Sequence, residues 1–234
     1  MAEHTIVAFD TDLDAIKGQV ASMAAMIRRQ VADAMAALVT RDSDLARSVV
    51  AQDVGIDALL QAIETKVIET VARRQPLAID LREMVAAFHI SHDLERAGDL
   101  AKGIAKRVIA LDGDLPKDLV AKAKELSSLV LECLTSVTES YREGDDLKAA
   151  AVWNRDQEID AAQNALFADI LVCMISDPRS ISPCTHLLFC VKNLERMGDH
   201  ATNIAESVHF IATGERFAGD RPRPGDINPA LVPQ

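Results

Sequence analysis

Eight carboxylates recur in a fixed pattern along this chain of 234 residues. Asp53 and Asp57 form a D-x-x-x-D pair, and so do Asp156 and Asp160. Glu95 with Asp99, and Glu195 with Asp199, form E-x-x-x-D pairs. On an α-helix, residues i and i+4 share a face, so each motif sets two carboxylates side by side. One such pair alone is usually a solvated surface. Four carboxylates brought together make a hard, oxygen-rich site, suited to Mg²⁺, Mn²⁺, Ca²⁺ or iron rather than Zn²⁺ or copper.

Convergence depends on the elements that carry the acids. Asp57 lies 19 residues before Pro76 and Glu95 lies 19 after it; Asp53 and Asp99 lie 23 before and after. A helical hairpin turning at Pro76 therefore brings all four to one level. The pairs Asp160/Glu195 and Asp156/Asp199 are likewise centred on the Asp177-Pro178 break. Apolar stripes place the acids on a packing seam. Ile56, Leu60, Ile63, Val67 and Val71 extend backwards to Asp53; Leu81, Met84, Val85 and Phe88 lead through His92 to Glu95 and Asp99; Leu188 and Val191 lead to Glu195 and Asp199. Like charges on a seam repel and lose solvation, so they need a counter-charge. Gly98 and Gly198 sit mid-helix beside the acids, where glycine costs about 1 kcal/mol against alanine. Close helix approach or room for an ion would offset that.

The chain duplicates itself. Leu94–Lys106 and Leu194–Glu206 share eight of thirteen residues at an offset of 100, and Asp53-x-x-x-Asp57 matches Asp156-x-x-x-Asp160 at an offset of 103. Proline and glycine breaks delimit six helical segments, at 8–40, 43–74, 78–110, 117–142, 146–176 and 184–213. At about 30 residues such helices run about 45 Å. The expected fold is all-α: two tandem three-helix bundles, over 8–112 and 113–215. A proline-rich tail over 216–234, with four of the eight prolines, is expected to be disordered.

Composition narrows the function. Aromatic residues are only 3%, so the core must be aliphatic. A net charge of −11 without a basic run excludes a phosphate-backbone grip, so no nucleic-acid partner is expected. No apolar run is read as approaching the roughly 18–20 residues of a membrane span, and the N-terminus shows no signal pattern. Cys133, Cys173, Cys184 and Cys190 form no C-x-x-C pair and read as buried, reduced thiols of a cytoplasmic protein. His89-x-x-His92 reads as packing rather than ligation. Glu206-x-x-His209 is half of a ferritin-like di-iron signature, which requires a second copy. Nucleophile–base pairs and phosphate-cradling glycine loops are missing, so no catalytic residue is assigned and the chain reads as a non-enzyme. A carboxylate-bridged metalloenzyme on a helical bundle is the alternative.

The two E-R-x-G-D segments, Asp199-His200-Ala201-Thr202-Asn203-Ile204-Ala205-Glu206, Arg74-Gln75-Pro76 followed by Asp80-Leu81-Arg82, and Asp42-Ser43-Asp44-Leu45-Ala46 together resemble the PhoU family. The resemblance spans about 8–215. It implies a six-helix, two-bundle fold whose motifs bind metal ions, variously iron, zinc, manganese or magnesium. The implied ligands are Asp53, Asp57, Glu95 and Asp99 in one bundle and Asp156, Asp160, Glu195 and Asp199 in the other. It also implies a negative regulator of phosphate uptake and of the phosphate-starvation response. Such a regulator links the ATPase subunit of the Pst transporter to the PhoR histidine kinase, often as a homodimer. The repeats differ where Asn203 stands against Gly103 and Asp93 against Asn193. Asn203 is therefore expected as an extra oxygen ligand of the second site, and Asp93 as an added acid in the first. Arg96 and Arg196 are expected to pair with the acids or to contact a partner.

Overall fold

A computed structural model describes residues 2–217, with side chains from residue 8 onward. The described residues are helical and contain no strand. Helices α1 (Ala2–Thr40), α2 (Ser43–Arg74) and α3 (Ile79–Ala110) form the first bundle. Helices α4 (Lys117–Glu143), α5 (Asp146–Asn154), α6 (Asp156–Ser176) and α7 (Ile181–Thr213) form the second. Of the tail, Phe217 stacks on His209 with ring centroids 4.0 Å apart. The four C-terminal prolines lie outside the described residues.

Local chemistry sets the boundaries. Asp42 caps α2 by accepting from the backbone N–H groups of Asp44 and Leu45, both at 2.9 Å. Such a cap contributes about 1 kcal/mol. Asp145 caps α5 through Lys148 N at 3.0 Å. Gly144 and Gly214, at φ 67° and 78°, end α4 and α7 in the left-handed conformation that glycine adopts without steric cost. Before Pro76, Gln75 takes the same role at the end of α2, with φ 50°.

The six-segment plan holds, with one interruption. The expected helix over 146–176 breaks at Arg155, between α5 and α6, with neither glycine nor proline there. Arg155 bonds back to Val152 O and pairs with Glu132 of α4 at 3.0 Å and Glu158 at 3.2 Å. The pairing with Glu132 is tertiary and is not visible in local propensity. The break makes Asp156 the first residue of α6, where the helix dipole favours a carboxylate.

A second expectation needs correcting. The stretch Asp146–Ser176 contains an 18-residue window of mean hydropathy 1.4, long and apolar enough to cross a membrane by length and composition alone. Only 22% of that window is buried. Alanine and branched aliphatics outweigh the few charges in it.

The core is aliphatic throughout. Ile16, Val20, Met23 and Ile27 of α1 are fully buried, as are Leu187, Val191 and Leu194 of α7. The bundles join mainly along α3 and α7, which share the most extensive contact in the fold. There Asn193 donates to Leu100 O at 3.2 Å. Its amide nitrogen lies 2.7 Å from where a Cβ on Gly103 would stand, so a larger residue there would push the amide aside.

Candidate metal centre

Both hairpins form as their spacing requires. Helices α2 and α3 pack on each other through the Pro76 turn, and α6 and α7 through the Pro178 turn. The acids meet, but not as equals. Asp53, Asp156 and Glu195 are buried; Glu95, Asp99, Asp160 and Asp199 are half-buried; Asp57 is exposed. The first-half stripe is less deep than its apolar pattern suggests, since Leu81 and Val85 on the same line are exposed. The buried line of α3 runs instead through Met84, Ala87, Ile90, Leu94 and Ala101, which puts Glu95 and Asp99 at its edge.

Repulsion is nonetheless felt in both clusters. Loss of solvent pushes the Glu95 carboxyl above its ordinary range, and the charges of Asp99 and Asp57 push it further. In the second half the Asp160 carboxyl rises to about 6, through desolvation first and then the charges of Asp156, Glu195 and Asp199. Asp156, Glu195 and Asp199 therefore all lie within electrostatic reach of Asp160.

Each cluster contains an internal answer to that repulsion. Lys102 of α3 contacts Asp53 and lies 3.4 Å from Asp99, and its ammonium is held above the usual lysine range chiefly by the Asp53 hydrogen bond. Lys192 contacts Glu195 Oε1 at 2.6 Å, and the Thr202 hydroxyl lies 3.1 Å from Asp156. Sequence reasoning missed Lys102, Thr202 and Lys192. The i, i+3 spacing of Asp99 with Lys102, and of Lys192 with Glu195, was the available signal. With the side chains so engaged, no three His, Cys, Asp or Glu groups among the described residues are arranged to hold a metal ion as they stand. One observation fits a cation nevertheless. Glu195 Oε2 is buried without a hydrogen-bond partner, although Glu195 is only 4% exposed. An orphaned carboxylate oxygen carries a desolvation cost that a metal would relieve.

The glycines are explained by packing. A Cβ on Gly198 would stand 2.9 Å from Ile159 Cδ1 of α6, and one on Gly98 would stand 3.2 Å from both Gln30 Oε1 and Ile56 Cδ1. Helix approach, rather than space for an ion, accounts for both.

Other expected ligands sit elsewhere. The Asn203 amide donates to Asp93 at 3.1 Å, across the α3–α7 seam. His200 Nδ1 lies 2.9 Å from the same carboxylate. Asp93 thus ties the two bundles together and does not join the first cluster, because it projects from the opposite side of α3 from Asp53's partner Lys102. His209 pairs with Asp146 at 2.7 Å, and Trp153 donates to Glu206 at 3.3 Å, so the Glu206/His209 motif fastens α5 to α7. His92 pairs with Glu64 at 2.8 Å. Arg96 is 3.6 Å from Glu95 and 4.0 Å from Asp99, and it shares a surface cleft with Lys102, Lys106, Arg196 and His200. Cys173 and Cys184 face each other at 3.9 Å across the α6–α7 turn, a contact the sequence did not indicate. Burial pushes the Cys133 thiol to about 11 and the Cys190 thiol to about 12, so both stay protonated and unreactive.

Comparison with known proteins places this geometry. The PhoU domain family matches twice, at residues 20–108 and 123–208. The phosphate-specific transport system accessory protein PhoU homolog of Caulobacter vibrioides is 45% identical, over 95% of this chain and 97% of its own length. That of Rhizobium meliloti is 44% identical, over 94% and 93%. Among solved structures, PhoU from Pseudomonas aeruginosa superposes with a TM-score of 0.85 at 31% identity, covering 88% of this chain and all of that one. The phosphate transport system regulatory protein PhoU from Streptococcus pneumoniae gives 0.83 at 27% identity, covering 89% and 99%. Two matched repeats on two bundles, with close relatives spanning nearly the whole length, establish that this chain belongs to the PhoU family.

Proposed function

We propose that this accessory protein of a phosphate-specific transport system is a metal-binding, non-enzymatic negative regulator of phosphate uptake and of the phosphate-starvation response. It acts in the cytoplasm as a homodimeric adaptor between the ATPase subunit of the Pst transporter and the PhoR histidine kinase. The transport role follows its relatives, which are named as accessory and regulatory proteins of phosphate transport. The observation that supports the metal reading is the crowding of Asp156, Asp160, Glu195 and Asp199 on the second hairpin, with Glu195 Oε2 buried without a hydrogen-bond partner. The family resemblance assigns Asp53, Asp57, Glu95 and Asp99 to a site where Lys102 already lies against Asp53 and Asp99; Asp156, Asp160, Glu195 and Asp199 would hold a cation. A hard divalent ion or iron bound there would neutralise the repelling charges and cross-link the two helices of a hairpin.

Two measurements test the reading. Deleting the protein should raise phosphate-starvation reporters in phosphate-replete cells, and unchanged output would remove the regulatory role. Affinity purification of the tagged chain should retain the transporter ATPase and the kinase, and the eluate should contain Mg, Mn, Fe or Zn by elemental analysis.

A further inference from the structure

We infer that Lys102 is a built-in cation that closes the first acidic cluster to metal, so that the cluster of Asp156, Asp160, Glu195 and Asp199 is the chain's metal-binding centre. This rests on the metal reading above and narrows it to one half.

In the first half, the Lys102 ammonium touches one carboxylate from each helix of the hairpin: Asp53 from α2 and Asp99 from α3. Asp53 is only 6% exposed, so withdrawal of the ammonium would strand a buried charge. The Lys102 side chain is itself three-quarters covered, which limits its escape to solvent. A divalent ion entering this cluster would meet a fixed positive charge a few ångströms away. At an effective dielectric of about 20 that repulsion lowers affinity by more than about tenfold.

The duplication supplies the contrast. Thr202 stands at the position of Lys102, and Asp156 at that of Asp53. The Thr202 hydroxyl lies 3.1 Å from Asp156 Oδ1 and 3.0 Å from Gly198 O. It orients the carboxylate and adds no charge. The ammonium found in this cluster, Lys192, reaches Glu195 Oε1 from the rim and is 55% exposed, against 25% for Lys102, so it can move into water and leave Glu195 to an incoming cation. Glu195 Oε2 stays buried and unmatched. The second cluster therefore holds its one contacting ammonium at the rim and keeps a buried carboxylate oxygen without a partner, where the first holds its ammonium between Asp53 and Asp99.

The test is titration of the metal-free full-length chain with Mn²⁺, by calorimetry and by thermal unfolding, alongside Lys102→Thr, Lys102→Gln, Asp99→Asn and Glu195→Gln. In the wild-type background, Glu195→Gln should weaken Mn²⁺ uptake at least about tenfold and Asp99→Asn should leave it unchanged. Lys102→Thr installs the residue the second half already uses. It should add a second class of sites that Asp99→Asn then removes, and its unfolding midpoint without Mn²⁺ should fall and recover on addition. Lys102→Gln serves if the threonine variant does not fold. Equal weakening by Asp99→Asn and Glu195→Gln would overturn the inference while leaving the metal reading intact. So would a folded Lys102 variant that gains no Mn²⁺. No uptake by any of the proteins would overturn both.

Discussion

The two halves of the molecule share one topology and differ at the hairpin that carries the acids. In the first half, α2 runs unbroken for 32 residues, and Asp53 lies inside it, well past its first turn, held by Lys102. In the second, the corresponding segment breaks at Arg155, so Asp156 opens α6 and meets a neutral threonine. The outer faces diverge as well. Around the exposed Ile68, α2 presents Glu69 and Arg73 in an ion pair, whereas α6 exposes Phe167, Leu171, Val172 and Ile175. The packing seams are conserved, with a glycine at 98 and 198 and a leucine at 94 and 194. A duplicated bundle can change its inner polar groups and its outer skin independently. The apolar seam between them tolerates little change because it is close-packed.

That comparison can be broken most severely at the seam. Leu94→Ala and Leu194→Ala each empty a fully packed position, and each should cost about 2–5 kcal/mol in urea unfolding. Losses differing by more than about 2 kcal/mol would show that the two seams are not equivalent. The glycines offer a finer probe. Gly198→Ala drives a methyl to 2.9 Å from Ile159, and the strain of about 1–3 kcal/mol should exceed the roughly 1 kcal/mol gained in helix propensity. Gly98→Ala meets the flexible ends of Gln30 and Ile56 at 3.2 Å, and should be close to neutral. Identical losses at the two sites would erase the distinction.

A third probe is pH, on metal-free protein. The folded chain holds the Asp160 proton up to about pH 6, whereas the unfolded carboxyl releases it near its ordinary 3.8. This contribution to stability is full below about pH 4 and is lost as pH rises through 6. Asp160→Asn should flatten that fall by about 1 kcal/mol once solvent screening is discounted. A wild-type curve indistinguishable from that of the variant would mean that the second-half acids do not crowd. The smallest effect is expected on the skin. Val172→Ser and Ile175→Ser, 62% and 82% exposed in the wild type, should change stability by less than about 0.5 kcal/mol. A larger loss would show that the α6 face is covered in solution.

Much of the fold was legible from one dimension. Helix periodicity, the Pro76 and Pro178 breaks and the offset of 100 between repeats are local or translational features, and they specify hairpins and duplication directly. The convergence of the acids followed from their symmetric spacing about each break. Their counter-ions were harder to see. Lys102 and Lys192 sit three residues from Asp99 and Glu195, a spacing so common on helix surfaces that it carries little information alone. Asn203 looked like a ligand because it follows Asp199 by one turn, yet it lies on the flank that faces α3, where Asp93 takes its amide.

By itself the sequence determined the helical class, the twofold repeat, the positions of the turns and the level at which the carboxylates gather. Each of these follows from periodicity and from residues that act on their own backbone. Tertiary structure alone decided how deeply each acid is buried, which cation answers it, where the fifth segment breaks and why the glycines are there. Those outcomes depend on rotation about the helix axis and on the distance between helices, and neither is set until several helices pack at once.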